Sequence, residues 1–322
     1  MHIRPVDMPE LRDETIKWAT DEVSQKAIEV GIRAGRQPFV PKAASVSASA
    51  KMLCLAEASR LRTSELFHVS SEMSDLAVAS GRSLPEFSLT PEDVPVPNGF
   101  AYFEKPLTVI EDTVAAGSPV VHVPIVAASW SPWTDGLWVT WYTSSRAMLD
   151  EYARIGIYSA KDAEKICPTI PHLSPNRNTQ WPFGTSLGIR SSDGGEFSSL
   201  KDARAAGAMQ EPVTVLKAAW LLMAQPGIAT VTDAQFDRAA RRRMPKDQEP
   251  PRVRVITLRR PSGSSSGDSD REYHHQWIVR GHWRQHWYPA RQVHRPVWIA
   301  PHVKGPEGAP LLGGEKVYAW KR

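Results

Sequence analysis

Between residues 277 and 304 the chain reads WIVRGHWRQHWYPARQVHRPVWIAPHVK, and the first half of this run alternates without error. Laid out as a strand, it points Arg280, His282, Arg284 and His286 one way and Trp277, Val279, Gly281, Trp283 and Trp287 the other. The pattern predicts a cationic, imidazole-bearing stripe mounted on an aromatic face. A partner strand is expected over 296–303, and a last edge strand over 316–320.

The N-terminal part follows a helical period instead. Asp7, Pro9 and Glu10 read as a capping box with proline in the first turn. Ile16, Ala19, Val23 and Ala27 then recur at helical spacing, with Gly31 or Gly35 as the stop. A second apolar-rich helix is expected over 50–67. Proline density over 85–97 marks a linker or a wrapped loop.

A β-rich centre follows, with strands expected at 99–104, 120–130 and 137–143 and a turn at Asp135-Gly136. A short helix is expected over 148–157, and a long loop over 167–200, where periodicity is lost. Residues 212–225 (PVTVLKAAWLLMAQ) form the strongest helical pattern. It is bounded by Pro212 and Pro226-Gly227 and apolar on nearly all sides, so it predicts a core helix. A helix is also expected from Thr232, with Gln235 closing its capping box, into Arg241-Arg242-Arg243. A strand over 252–259 and a flexible connection over 261–270 complete the pattern. No internal repeat is found.

These elements predict an α+β protein: a helical N-terminal region, a twisted, mostly antiparallel sheet and a C-terminal basic β-module. The expected regions are a helical one over 1–80, a β-rich one with a long loop over 81–205, and a core helix plus the basic β-module over 206–322.

Composition sharpens this picture at one end of the chain. The 322 residues carry a net charge of +4, but residues 238–322 hold 18 Lys+Arg against 7 Asp+Glu, leaving 21 against 28 elsewhere. A basic tail on an acidic body predicts an anionic partner, with nucleic acid the default; the alternative is that the two halves attract each other. Cys54 and Cys167 read as free thiols in a reducing compartment. No apolar run reaches the roughly 18–20 residues of a membrane span, and the N-terminus is too polar for a secretory signal. A cytoplasmic protein with no membrane partner is expected.

The candidate chemistry is limited. His282 and His286 lie four apart, which in a strand is roughly 13 Å at about 3.3 Å per residue, too far for one metal ion. They could instead act as acid and base in metal-free RNA cleavage, with Arg280 and Arg284 stabilising developing negative charge. A binding face without chemistry has the same residue types. The helices expected at 213–225 and 232–243 are too widely spaced for a helix-turn-helix. Phe100, Tyr102, Phe103, Trp138, Trp141 and Tyr142 are expected to be mostly sheet core, part of the set lining a groove for an added peptide strand. Nothing forms a phosphate-cradling glycine loop, a Ser-His-Asp arrangement or a paired-carboxylate motif, and no cofactor or metal is expected.

RGHW at Arg280–Trp283, followed by HRPVWIAPHV with Arg295, Trp298 and Pro301, resembles the C-terminal part of a type V-A anti-CRISPR family. Its members are phage proteins that block production of the CRISPR nuclease. The helix bearing Trp220 ahead of Gln225-Pro226, the segment at 97–103 and the QPFVP run at 37–41 are similar in the same order. The resemblance implies recognition of a target's nascent N-terminal peptide and destruction of its message. Phe100, Tyr102, Trp138 and Trp141 would then meet the peptide, and Arg280, Arg284, Arg295 and Lys304 the RNA or ribosome. His282 and His286 are the candidate catalytic pair. A protein-binding inhibitor without RNA activity and a metal-independent ribonuclease are the alternatives.

Overall fold

The computed structural model describes residues 3–33, 40, 45–113, 119–184, 210–244, 249–259 and 277–304. It is a mixed α/β fold built on a mostly antiparallel sheet, with helices on both faces.

The helical pattern at the N-terminus folds as two helices, α1 (Met8–Ala19) and α2 (Glu22–Arg33). The break falls at Thr20-Asp21: Thr20 Oγ1 donates back to the Ile16 and Lys17 carbonyls, and Asp21 Oδ1 accepts the Val23 N–H at 2.8 Å. Side chains of this kind offer the backbone an exit from the helix. The expected capping box is absent. Asp7 instead pairs with Arg4 and with Arg243, at 2.9 and 2.8 Å. Helix α3 (Val46–Arg62) is capped by Ser45, whose hydroxyl accepts the Ala48 N–H at 3.1 Å.

The helix expected to run to Phe67 stops at Arg62, and β1 (Glu65–Val69) takes its place as an interior strand of the sheet. A five-residue parallel strand buried on both faces shows no alternation and looks like the end of a helix. Ser70 closes β1 by donating to the Ile256 carbonyl, and it caps α4 (Ser71–Gly81). After a wrapped loop come β2 (Gly99–Phe103), β3 (Thr108–Thr113), β4 (Val120–Trp133) and β5 (Gly136–Ser144). Next are α5 (Ser145–Arg154), α6 (Ala160–Ile166) and β6 (Leu173–Pro182). Strand β6 occupies part of the expected long loop, where pairing to β5 overrides weak local propensity.

The apolar pattern near 212–225 forms α7 (Gln210–Met223). The helix expected from Thr232 is instead β7 (Ala229–Asp233) followed by a short α8 (Arg238–Arg242), capped by Asp237. Strand β8 (Val253–Leu258) completes the main sheet. The C-terminal strands are β9 (Trp277–Val279), β10 (His282–Tyr288), β11 (Val293–Ile299) and β12 (His302–Lys304). The expected connection at 261–270 and edge strand at 316–320 lie outside the described residues.

The eight-stranded sheet runs β6-β5-β4-β2-β1-β8-β7, with β3 also on β4. Only β1–β2 and β1–β8 pair in parallel. Phe67, Val69, Phe103, Trp130 and Trp181 look towards α4 and α7, while Leu66, Phe100, Tyr142 and Val253 look towards α1 and α3. Trp220 of α7 anchors the first layer, stacked on Trp181 at 5.6 Å and edge-on to Trp130 at 5.1 Å. The loop ahead of β2 wraps this layer, burying Phe87, Leu89 and Val96.

Candidate functional site

The C-terminal strands form one long ribbon, β9–β10 returning as β11–β12, with Trp283 opposite Trp298 and His286 opposite Arg295. Its inner end is bolted to the body. Trp298 is 7% exposed, and its backbone N–H donates to Gln225 Oε1 at 3.1 Å. Trp283 meets it edge-on at 5.2 Å and donates its indole N–H to the Ser80 carbonyl at the end of α4. Arg295 is bound by Asp93, by Thr90 Oγ1 at 2.7 Å and by the Ser88 carbonyl at 3.3 Å. Gly281 sits where the ribbon crosses the Trp298 ring; a Cβ there would be 2.5 Å from it, so only glycine allows the approach.

The outer end stands free of the body. Every residue from 284 to 292 is exposed, including Trp287 at 44% and Tyr288 at 38%. The turn at 289–292 is closed by the Tyr288 carbonyl accepting from Arg291 at 3.1 Å. The tip rings pair within the ribbon, His286 with Tyr288 and Trp287 with His294. No aspartate or glutamate occurs anywhere from 277 to 304. Trp283, Trp298 and Arg295 thus hold the base of the ribbon against the body, while residues 284–292 are exposed.

A second polar constellation lies inside the body and escapes sequence reasoning. Glu57 of α3 is 6% exposed and reaches the sheet face. Its Oε1 accepts from Ser129 Oγ at 2.6 Å and from the Tyr142 hydroxyl; its Oε2 accepts from Thr140 Oγ1 at 2.6 Å and from the Arg60 guanidinium. Burial alone would push this carboxyl up. The neighbouring Arg60 charge and the three hydroxyl donors outweigh it and hold Glu57 below its usual range. Burial and the Glu57 charge push the Tyr142 phenol well above 10. The available signal was Glu57's place on the buried stripe of Leu53, Cys54, Ala58 and Leu61.

On the opposite face, Lys217 of α7 is 5% exposed, donating to the Phe87 carbonyl at 3.1 Å beside the Phe87 and Trp181 rings. Burial lowers its pKa to about 8, against the pull of Asp93 and Glu86. Among the described residues no group of three or more His, Cys, Asp and Glu is placed to hold a metal ion. None of their helices is long and apolar enough to cross a membrane.

The sequence-predicted residues are distributed as follows. Arg280, His282, Arg284 and His286 are exposed on the ribbon, and His282 Nδ1 lies 3.0 Å from the Arg280 carbonyl. Lys304 ends β12. The aromatic set does not form a groove: Phe100 and Trp141 are 0% exposed and Trp138 7%, with Tyr102 half-buried beside His68. Phe100 packs edge-on to Tyr142, and the Trp141 indole donates to Thr179 Oγ1 at 2.8 Å.

The chain matches no protein-family model, no curated protein and no solved structure. The anti-CRISPR resemblance is corrected accordingly, and with it the nascent-peptide and RNA or ribosome association that it implied. Of the aromatics assigned to the peptide, Phe100, Trp138 and Trp141 are spent in the core. Arg295, assigned to RNA, is the clamp that fastens the ribbon to Asp93.

Proposed function

We propose that this chain is a DNA-binding protein that reaches its partner with the tip of the β10–β11 ribbon. The observation that carries the reading is the protruding, acid-free segment in which Arg284, His286, Trp287, Tyr288 and Arg291 are all exposed. Arginine side chains pair with phosphate oxygens through a planar fork of donors, and exposed indole and phenol rings pack on sugars and bases.

The shape favours DNA over RNA. A two-stranded β-ribbon fits the major groove of B-form DNA, about 12 Å wide, whereas the deep, narrow major groove of A-form RNA excludes side chains. The anchoring by Trp283, Trp298 and Arg295 supports the same reading, because a tip held rigidly loses little conformational freedom on binding.

The test is a titration of a labelled short DNA duplex with wild type and with an Arg284→Gln/Arg291→Gln double variant. The expected result is loss of at least about tenfold in affinity for the variant, with an unchanged circular dichroism spectrum. Equal binding by the two proteins would overturn the proposal. So would selective binding to an RNA duplex or to phosphatidylserine vesicles with no DNA affinity.

A further inference from the structure

Around α8 the chain reads DRAARRRM from Asp237 to Met244, placing four arginines within six residues. Arg243 fastens the helix to the N-terminal segment, pairing with Asp7 at 2.8 Å and with Glu10 at 3.7 Å. Arg238, Arg241 and Arg242 are exposed, and among the described residues none of the three has a carboxylate partner. The acids nearest in sequence are committed elsewhere, Asp233 to Arg252 at 2.8 Å and Asp237 to the Ala240 N–H at 2.7 Å.

At i, i+3 and i+4 these three side chains rise from one face of the helix, with about 5–6 Å between their Cβ atoms, and like charges so placed repel one another. The macrodipole of a five-residue helix, about half an elementary charge at most, cannot balance them. Together with Phe236 and Met244 they line an open depression of about 530 Å³, with no acidic residue among the described residues of its wall. That volume lies within the range of small-molecule sites. Phe236 and Met244 are half-buried, so the depression combines apolar surface with three guanidinium groups. Arg241 Nε donates to the Phe236 carbonyl at 3.2 Å, which holds that guanidinium beside the ring's own residue. A single carboxylate or monophosphate engages the donors of one or two arginines and leaves the remaining repulsion in place. An anion with several phosphoryl groups in a row meets all three.

We propose that this depression is a binding site for a polyphosphate group, carried by free polyphosphate or by a nucleoside triphosphate. The phosphoryl oxygens accept from Arg238, Arg241 and Arg242, and a base, where present, lies against the exposed part of Phe236. None of the lining residues belongs to the ribbon, so the two sites are separable by substitution.

Calorimetric titration of the full chain with sodium tripolyphosphate, in metal-free buffer of low ionic strength, tests this. Saturable binding in the millimolar range or tighter is expected, at least about tenfold stronger than that of inorganic phosphate, with a matching rise in melting temperature. Arg238→Gln/Arg242→Gln should weaken it at least about tenfold with an unchanged circular dichroism spectrum. Arg284→Gln/Arg291→Gln, on the ribbon, should bind tripolyphosphate as wild type does. ATP separates the two sources: tighter binding than tripolyphosphate assigns the site to a nucleoside triphosphate, and equal or weaker binding assigns it to free polyphosphate. Three results would each overturn the proposal: neither heat nor a melting shift at about 10 mM tripolyphosphate, equal binding by wild type and the Arg238/Arg242 variant, or loss of binding in the ribbon variant.

Discussion

Replacing Glu57 by glutamine keeps the side chain's shape and removes its charge, so it isolates what the buried carboxylate contributes. In the wild type one oxygen accepts from Ser129 and Tyr142, and the other from Thr140 and Arg60. Hydrogen bonds to a charged group contribute about 1.5–3 kcal/mol each, roughly twice a neutral one. The amide can keep its carbonyl towards Arg60 and Thr140, but its NH2 then faces Ser129 and Tyr142, both of which donated before. Arg60, with its side chain 18% exposed, is left without a counter-charge. Removing one partner of a buried pair costs about 3–5 kcal/mol when nothing compensates. Rotating hydroxyls offset part of that, so Glu57→Gln should destabilise by about 2–4 kcal/mol. Urea unfolding at pH 7 measures it. The sign with pH is also determined: a depressed folded-state pKa gives stability that is present above the ordinary 4.5 and lost as pH falls through the folded value. The gap between wild type and variant should therefore close below about pH 4.5. A loss under about 0.5 kcal/mol at pH 7, or a gap that does not change in acid, would refute this account of the cage.

Lys217 has linkage of the same sign in a more alkaline window. Its folded pKa is about 8 against 10.5, so between these values the folded state sheds a proton that the unfolded state keeps, and stability rises with pH. Relative to Lys217→Met, wild type should gain up to about 3 kcal/mol across that window, at about 1.4 kcal/mol per pKa unit; parallel unfolding curves would contradict it. Gly281→Ala should push the ribbon off Trp298 at a cost of about 1–3 kcal/mol. Limited proteolysis should then cut within 277–304 while the main sheet stays protected, and an unchanged cleavage pattern would show that the contact is slack.

How much of this was legible depended on whether neighbours in sequence carried the signal. The bounded apolar run of α7 and the strand pattern of β10 are local, and each was readable; the N-terminal period was read as one helix, whereas Thr20-Asp21 divide it and Val23 is exposed. Strand β1 was not: ELFHV sits against two parallel neighbours and is buried on both faces, leaving nothing for alternation to mark. Strand β6 holds two prolines and two asparagines, and only the register with β5 makes it a strand. Glu57 and Arg60 look like an exposed i, i+3 pair until the sheet supplies Ser129, Thr140 and Tyr142 from 72 to 85 residues away. Arg295 had the composition of a nucleic-acid contact but spends its charge on Asp93, some 200 residues earlier in the chain. The aromatic residues of β2 and β5 were readable as sheet core; assigning part of them to a peptide groove ignored that helices cover both faces.

The ribbon reading is tested most directly by the salt dependence of DNA affinity. If Arg284 and Arg291 each neutralise one phosphate, log K should fall with log salt at a slope of about −1.8, from about 0.9 per contact. Arg284→Gln should reduce that slope by about 0.9 without altering the fold. A slope near zero, or one that Arg284→Gln leaves unchanged, would contradict the claim that the ribbon is where this protein meets its partner.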